Sequence, residues 1–141
     1  MRRNRQASGR EDPSQGRYQR PAAGYLMVDL YGIANCDKVR AARRWLDQHG
    51  INYRFHDYTK VGVDSQRLTA WVTALGWETL LNRRGTTWRR LPEAVRANVD
   101  RTAAIDLMQQ HPTIIRRPLL EVDGKAFLGF DPAGYHEVFG D

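Results

Sequence analysis

Between residues 25 and 58 the apolar pattern changes period twice, and this double change limits the fold more than any other feature of the 141-residue chain. The stretch "YLMVDLYGI", closed by Gly32, is rich in apolar and β-favouring residues and predicts a buried strand over about 25 to 31. Val39, Ala42, Trp45, Leu46 and His49 then recur at helical spacing, with Gly50 as the stop. In "INYRFHDY", Ile51, Tyr53 and Phe55 alternate with Asn52, Arg54 and His56, the period of a second strand. Two strands joined by one helix form a β-α-β unit, so the strands run parallel with a right-handed crossover.

After this unit the period becomes helical. Asp64 and Ser65 cap a helix whose apolar face is Leu68, Trp71, Val72 and Leu75, ended by Gly76. Trp77 to Leu81 predicts a short helical turn leading into the polar loop "NRRGTTWRRL". Pro92 can open the next helix, and Asp100 can cap another through Ile105, Leu107 and Met108. The period then returns to that of strands: "PLLEV", the turn Asp123-Gly124 and "KAFLGF" predict an antiparallel hairpin, and Asp131-Pro132 opens a last helix. The resulting fold class is α/β, a mixed four-stranded sheet with helices on both faces. It forms one domain over 27–141, with a helical insertion at about 64–111.

Net charge of +6 at first suggests a nucleic-acid ligand. Most of the excess, however, belongs to residues 1–26, where six Arg face Glu11 and Asp12, while the remainder is nearly balanced. That segment is rich in Arg, Gln, Gly, Ser and Pro and predicts a disordered basic extension dispensable for the core activity. Met27 directly precedes the first strand, so the segment is either accessory or upstream of the true start. Direct nucleic-acid binding by the core is not expected. No apolar run approaches the roughly 20 residues that span a bilayer, and no secretory signal is visible, which predicts a soluble, cytoplasmic protein with no membrane partner. The sequence holds no cluster with metal-site spacing, so no metal is expected.

Cys36 is the only cysteine, so no internal disulfide can form. It falls where the first strand hands over to the first helix, the end of an open α/β sheet at which ligands gather. The free N–H groups and partial positive charge of the helix start favour a thiolate there. Arg40, one turn on, adds positive charge, whereas Asp37 opposes it. The alternative is a small, inert, buried side chain, the commoner state of a cysteine. Two other stretches favour the nucleophile. Asn82, Arg83 and Arg84 in "LLNRRGTTWR" give a flexible loop of anion-binding composition, though a solvated basic turn reads the same way. In "HPTIIRRPLL", Arg116 and Arg117 precede Pro118 at the head of a strand. Most X–Pro bonds are trans, so the residues alone leave this one trans.

Taken together, "YGIANCDKVR", "LLNRRGTTWR" and "HPTIIRRPLL", in this order and at these intervals, resemble the ArsC family, the arsenate-reductase-like proteins of thioredoxin-like fold that include the Spx regulators. The likeness covers residues 28–139 and is greatest to the YffB branch. It implies a helical insertion and a cis Pro118 beside the cysteine. It matches Cys36 to the nucleophile, Arg40 to the Arg four residues later, and Arg117 to the oxyanion-binding Arg before the proline. Asn82 takes the place of the family's middle-loop Arg, with Arg83 and Arg84 as neighbouring substitutes. Two further positions depart from true arsenate reductases: Gly32 where they have His, and Gly129 where they have another Arg.

These departures argue against arsenate itself as the physiological substrate and leave the thiol chemistry intact. The resemblance thus implies a single-cysteine, glutathione-dependent thiol reductase with no bound cofactor. Its partners would be glutathione or another small thiol, as co-substrate, and an anionic or disulfide substrate. The alternative it implies is an Spx-like adaptor that binds RNA polymerase without enzymatic activity. Spx redox switches carry Cys-x-x-Cys; here the fourth position is Val39, which excludes that internal disulfide.

Overall fold

A computed structural model of the chain describes residues 27–140. The extension expected over 1–26 lies outside the described residues. In chain order the elements are β1 (Val28–Gly32), α1 (Asp37–Gln48), β2 (Arg54–Asp57), α2 (Tyr58–Val61), α3 (Ser65–Leu75), α4 (Trp77–Leu80), α5 (Thr86–Arg89), α6 (Glu93–Ala97), α7 (Arg101–Gln110), a 3₁₀ turn (Pro112–Ile114), β3 (Leu119–Val122), β4 (Lys125–Leu128) and α8 (Pro132–Phe139). They fall into two units, one holding everything up to Asp57 and from Arg117 onward, the other Tyr58–Arg116. No helix among the described residues is long and apolar enough to cross a membrane.

The first unit is a mixed sheet in the order β2-β1-β3-β4. β1 pairs parallel with β2 and antiparallel with β3, and β3 pairs antiparallel with β4. Registered partners lie on the same face, so the side chains divide cleanly. Val28, Leu30, Phe55, Leu120 and Val122 form one face, and Val39, Ala42, Trp45 and Leu46 of α1 with Tyr135 and Phe139 of α8 complete its core. The opposite face carries polar groups. There Asp29, only 6% exposed, accepts hydrogen bonds from Arg54 Nε at 3.1 Å and His56 Nε2 at 2.7 Å. The His56 ring stacks on Tyr31 at 4.4 Å. This clasp joins β1 to β2 through side chains as well as backbone.

The second unit is helical, with α3 packed on α4 and α7. Asp64 accepts from the Arg67 N–H to cap α3, and Asp100 from the Ala103 N–H to cap α7. The unit is wider than the insertion the sequence predicts, since it begins at Tyr58 and ends at Arg116. The reason is at its edges. Tyr58, expected to finish a strand, instead starts α2, and its hydroxyl donates to the Ile115 carbonyl at 3.1 Å. Ile115 in turn bridges Leu81. The second strand is accordingly only four residues long: Ile51 and Tyr53 are buried ahead of it without belonging to the ladder. The loop "NRRGTTWRRL" also contains a helical turn, α5, anchored by buried Trp88 and by a 2.7 Å hydrogen bond between Thr87 and Thr113.

Tyr135 is buried against Trp45 and Phe130 in edge-to-face contacts, and its hydroxyl has no hydrogen-bond partner among the described residues. Burial pushes its ionisation far above the ordinary phenol range. An unpaired buried hydroxyl costs about 1–3 kcal/mol, so removing it relieves a penalty and breaks no bond. Tyr135→Phe is therefore expected to leave urea-unfolding stability unchanged or raise it by about 1 kcal/mol, in contrast to most core substitutions.

Candidate functional site

The site is built at the carboxyl end of β1. Gly32 ends the strand in register with Asp57, the last residue of β2. The chain turns through Ala34 and Asn35, and Cys36 becomes the N-cap of α1 with extended backbone (φ −126°, ψ 130°). The turn is held from two sides. Asp57 Oδ2 accepts from the Ala34 N–H at 3.0 Å, and Arg40 Nη1 donates to Asn35 Oδ1 at 2.9 Å. Arg40 Nη2 also pairs with Asp37. The guanidinium expected to face an anion thus has partners within its own turn.

Cys36 is half-buried and is a free thiol. Partial burial, the largest single influence, pushes the thiol up. The Val39 and Lys38 N–H groups, with a hydrogen bond and the charge of Arg117, together outweigh it and hold the thiol below its ordinary value. The sulfur is not drawn into a full capping bond, so the helix contributes mainly through N–H dipoles facing it. Arg117 is the only charged side chain among these influences, and it approaches from the head of β3. The Arg117–Pro118 bond is cis, as the resemblance implies and the residues alone did not. The Pro118 carbonyl accepts from the Gly129 N–H at 2.8 Å, tying this segment to the end of the hairpin.

Asn82, Arg83 and Arg84 belong to the second unit. Asn82 Oδ1 accepts from the Arg84 N–H at 3.0 Å, so the amide closes its own turn. The Arg83 guanidinium lies over Trp77 at 5.5 Å and Trp88 at 5.9 Å. Arg84 is exposed. The structure therefore brings Cys36, Arg117 and Pro118 together in the first unit, with Arg40 in the same turn. Asp57 was not anticipated from sequence. Its signal was available, since a parallel neighbour of β1 must end beside the same turn. No group of three or more His, Cys, Asp or Glu side chains among the described residues could hold a metal ion.

The mixed sheet, the cysteine opening its first helix and the arginine before a cis proline define a thioredoxin-like α/β protein built around one thiol. The chain belongs to the ArsC family, whose model matches residues 31–138. It is 47% identical to the YffB (PA3664) protein, covering 79% of this chain and 97% of that one at a TM-score of 0.76. It is 50% identical to an arsenate reductase (ArsC) related protein from Brucella melitensis, covering 82% and 97% at a TM-score of 0.66. The global transcriptional regulator Spx 2 of Oceanobacillus iheyensis is 26% identical over 117 residues, 79% of each chain.

The geometry accounts for both glycine departures. A Cβ on Gly32 would sit 2.7 Å from Cγ2 of Val39, a fully buried and stiff side chain. Gly129 has φ +87°, where an arginine would be strained. Gly32→Ala is expected to cost about 1–3 kcal/mol in unfolding free energy through overpacking. Combining it with Val39→Ala should cost less than the sum of the two single changes, a coupling readable in a double-mutant cycle. For the thiol, wild-type alkylation by iodoacetamide is expected to titrate with a midpoint below the ordinary cysteine value of about 8.5. Arg117→Gln should move that midpoint up by about half a unit to one unit by removing the facing charge.

Proposed function

We propose that the protein is a glutathione-dependent thiol reductase working through the single thiolate of Cys36. The observation that carries this reading is the convergence of the α1 N–H groups and Arg117 on one accessible sulfur, which outweighs the burial that would otherwise keep it protonated. A thiolate is the reactive form of cysteine. Cys36 Sγ attacks one sulfur of a disulfide. The new S–S bond joins Cys36 to one half of the substrate, and the other half leaves with the electron pair as a thiolate. The chain has one cysteine, so the resolving thiol comes from outside. Glutathione thiolate attacks the mixed disulfide, the Cys36 thiolate leaves with its electron pair, and the product is a disulfide containing glutathione. The reducing electrons come from glutathione, and no bound cofactor is required.

Arg117 offers its charge to an anionic group of substrate or co-substrate, such as a carboxylate of glutathione. The reading stops short of arsenate. Position 32 has no room for a side chain beside Val39, and position 129 favours glycine, so two groups implied for arsenate reductases are missing.

Similarity to Spx regulators supports a second reading, an adaptor that binds RNA polymerase without catalysis. Retention of polymerase by immobilised Cys36→Ala protein would favour it, and empty beads would count against it. For the reductase, Cys36→Ser is expected to abolish glutathione-dependent reduction of a small mixed disulfide while leaving the thermal midpoint unchanged. Turnover that persists in the serine variant would remove the nucleophile from the account.

A further inference from the structure

Asp57 is a carboxylate at the end of the sheet that carries the thiol. The end of the sheet at which it stands is where negative charge on sulfur is favoured, and a carboxylate placed nearby works against that through charge alone. Its place is explained by what it accepts. The side chain reaches from the last residue of β2 to the first N–H of the turn between β1 and α1, at Ala34, two residues before the thiol. That turn is exposed on both Ala34 and Asn35. The Arg40–Asn35 bond restrains it from the α1 side. Beneath it, Val39 fills the space left by the absent side chain of Gly32.

The start of α1 is thus fixed by packing below, by Arg40 on its own side, and by Asp57 from the neighbouring strand. Of the three, Asp57 alone ties the turn to an element that belongs to neither β1 nor α1. We propose that Asp57 is a positioning residue for Cys36: by accepting the Ala34 N–H it holds the β1–α1 turn so that the sulfur faces the α1 N–H groups and Arg117. This inference rests on the reading of Cys36 as the working thiolate. Asp57 touches neither sulfur nor substrate in it and acts only through the backbone of the turn.

Two effects of the carboxylate have opposite signs, which makes the proposal testable. By charge alone, a carboxylate near the turn can only favour the neutral thiol, so removing it would lower the pKa or leave it unchanged. As an anchor, it lowers the thiol pKa by keeping the donors aligned, and its removal raises it. The experiment is the pH dependence of Cys36 alkylation by iodoacetamide in the full chain, for wild type, Asp57→Ala and Asp57→Asn. The wild-type midpoint alone tests the thiolate reading, and a value at or above about 8.5, that of an ordinary cysteine, would sink that reading whatever the variants do.

The differences between proteins test Asp57. Asp57→Ala is expected to raise the midpoint by about half a unit and to slow alkylation about threefold at pH values below it. Asp57→Asn keeps an acceptor oxygen and loses the charge, so its midpoint should stay at or below that of wild type. An Asp57→Ala midpoint equal to or below wild type overturns the proposal, as does an Asp57→Asn midpoint raised as far as that of Asp57→Ala. Should the alanine variant not fold, hydrogen exchange at the wild-type Ala34 amide decides. Protection of that amide supports the anchor, and exchange at the rate of an unprotected amide overturns it.

Discussion

The site depends on β1 being hydrogen-bonded along both edges. Parallel pairing with β2 and antiparallel pairing with β3 bring the end of β1, the end of β2 and the start of β3 to one side of the sheet. Helix α1 begins there, so its unpaired N–H groups and Arg117 reach the same sulfur from parts of the chain far apart in sequence. Burial is the largest single influence on the thiol and opposes ionisation, and the helix N–H groups and the arginine together outweigh it. The mixed sheet is thus what gives a lone cysteine its chemistry.

The same end of the sheet limits which chemistry is possible. Val39 fills the volume over Gly32, and Gly129 takes a backbone conformation suited to glycine while its N–H holds the Pro118 carbonyl. Both positions serve the geometry around Cys36, and neither can take a larger polar side chain without a local change. Val39 also stands where a second cysteine would be needed for a local disulfide. Packing as well as composition therefore leaves Cys36 without a local disulfide partner.

Much of this was legible in the sequence because it is written in local signals. Helix periods, Asp64, Asp100 and Asp131 as helix caps, and the Asp123-Gly124 turn are short-range features that fall where the local pattern places them, whereas the second strand is shorter than its alternation predicts. What was hidden is long-range. The helical unit begins at Tyr58 because its hydroxyl finds the Ile115 carbonyl, a partner that no local window contains. The cis Arg117–Pro118 bond came from family likeness and had no local signature. Among the candidate site residues, the place of Cys36 at the strand-to-helix handover was readable from position, and Arg117 was singled out by the family likeness. The side-chain commitments of Arg40, Asn82 and Arg83 were not, since an arginine or amide in a polar loop reads alike whether it faces an anion, closes its own turn or lies over tryptophan rings.

The central claim is that Cys36 alternates between a free thiolate and a mixed disulfide resolved from outside. It is tested most directly by intact-protein mass spectrometry after exposure to oxidised glutathione and then to reduced glutathione. The account predicts one glutathionyl group per chain, located on Cys36, that disappears when the reduced form is added. No adduct, or an adduct on Cys36 that reduced glutathione leaves in place, would contradict it.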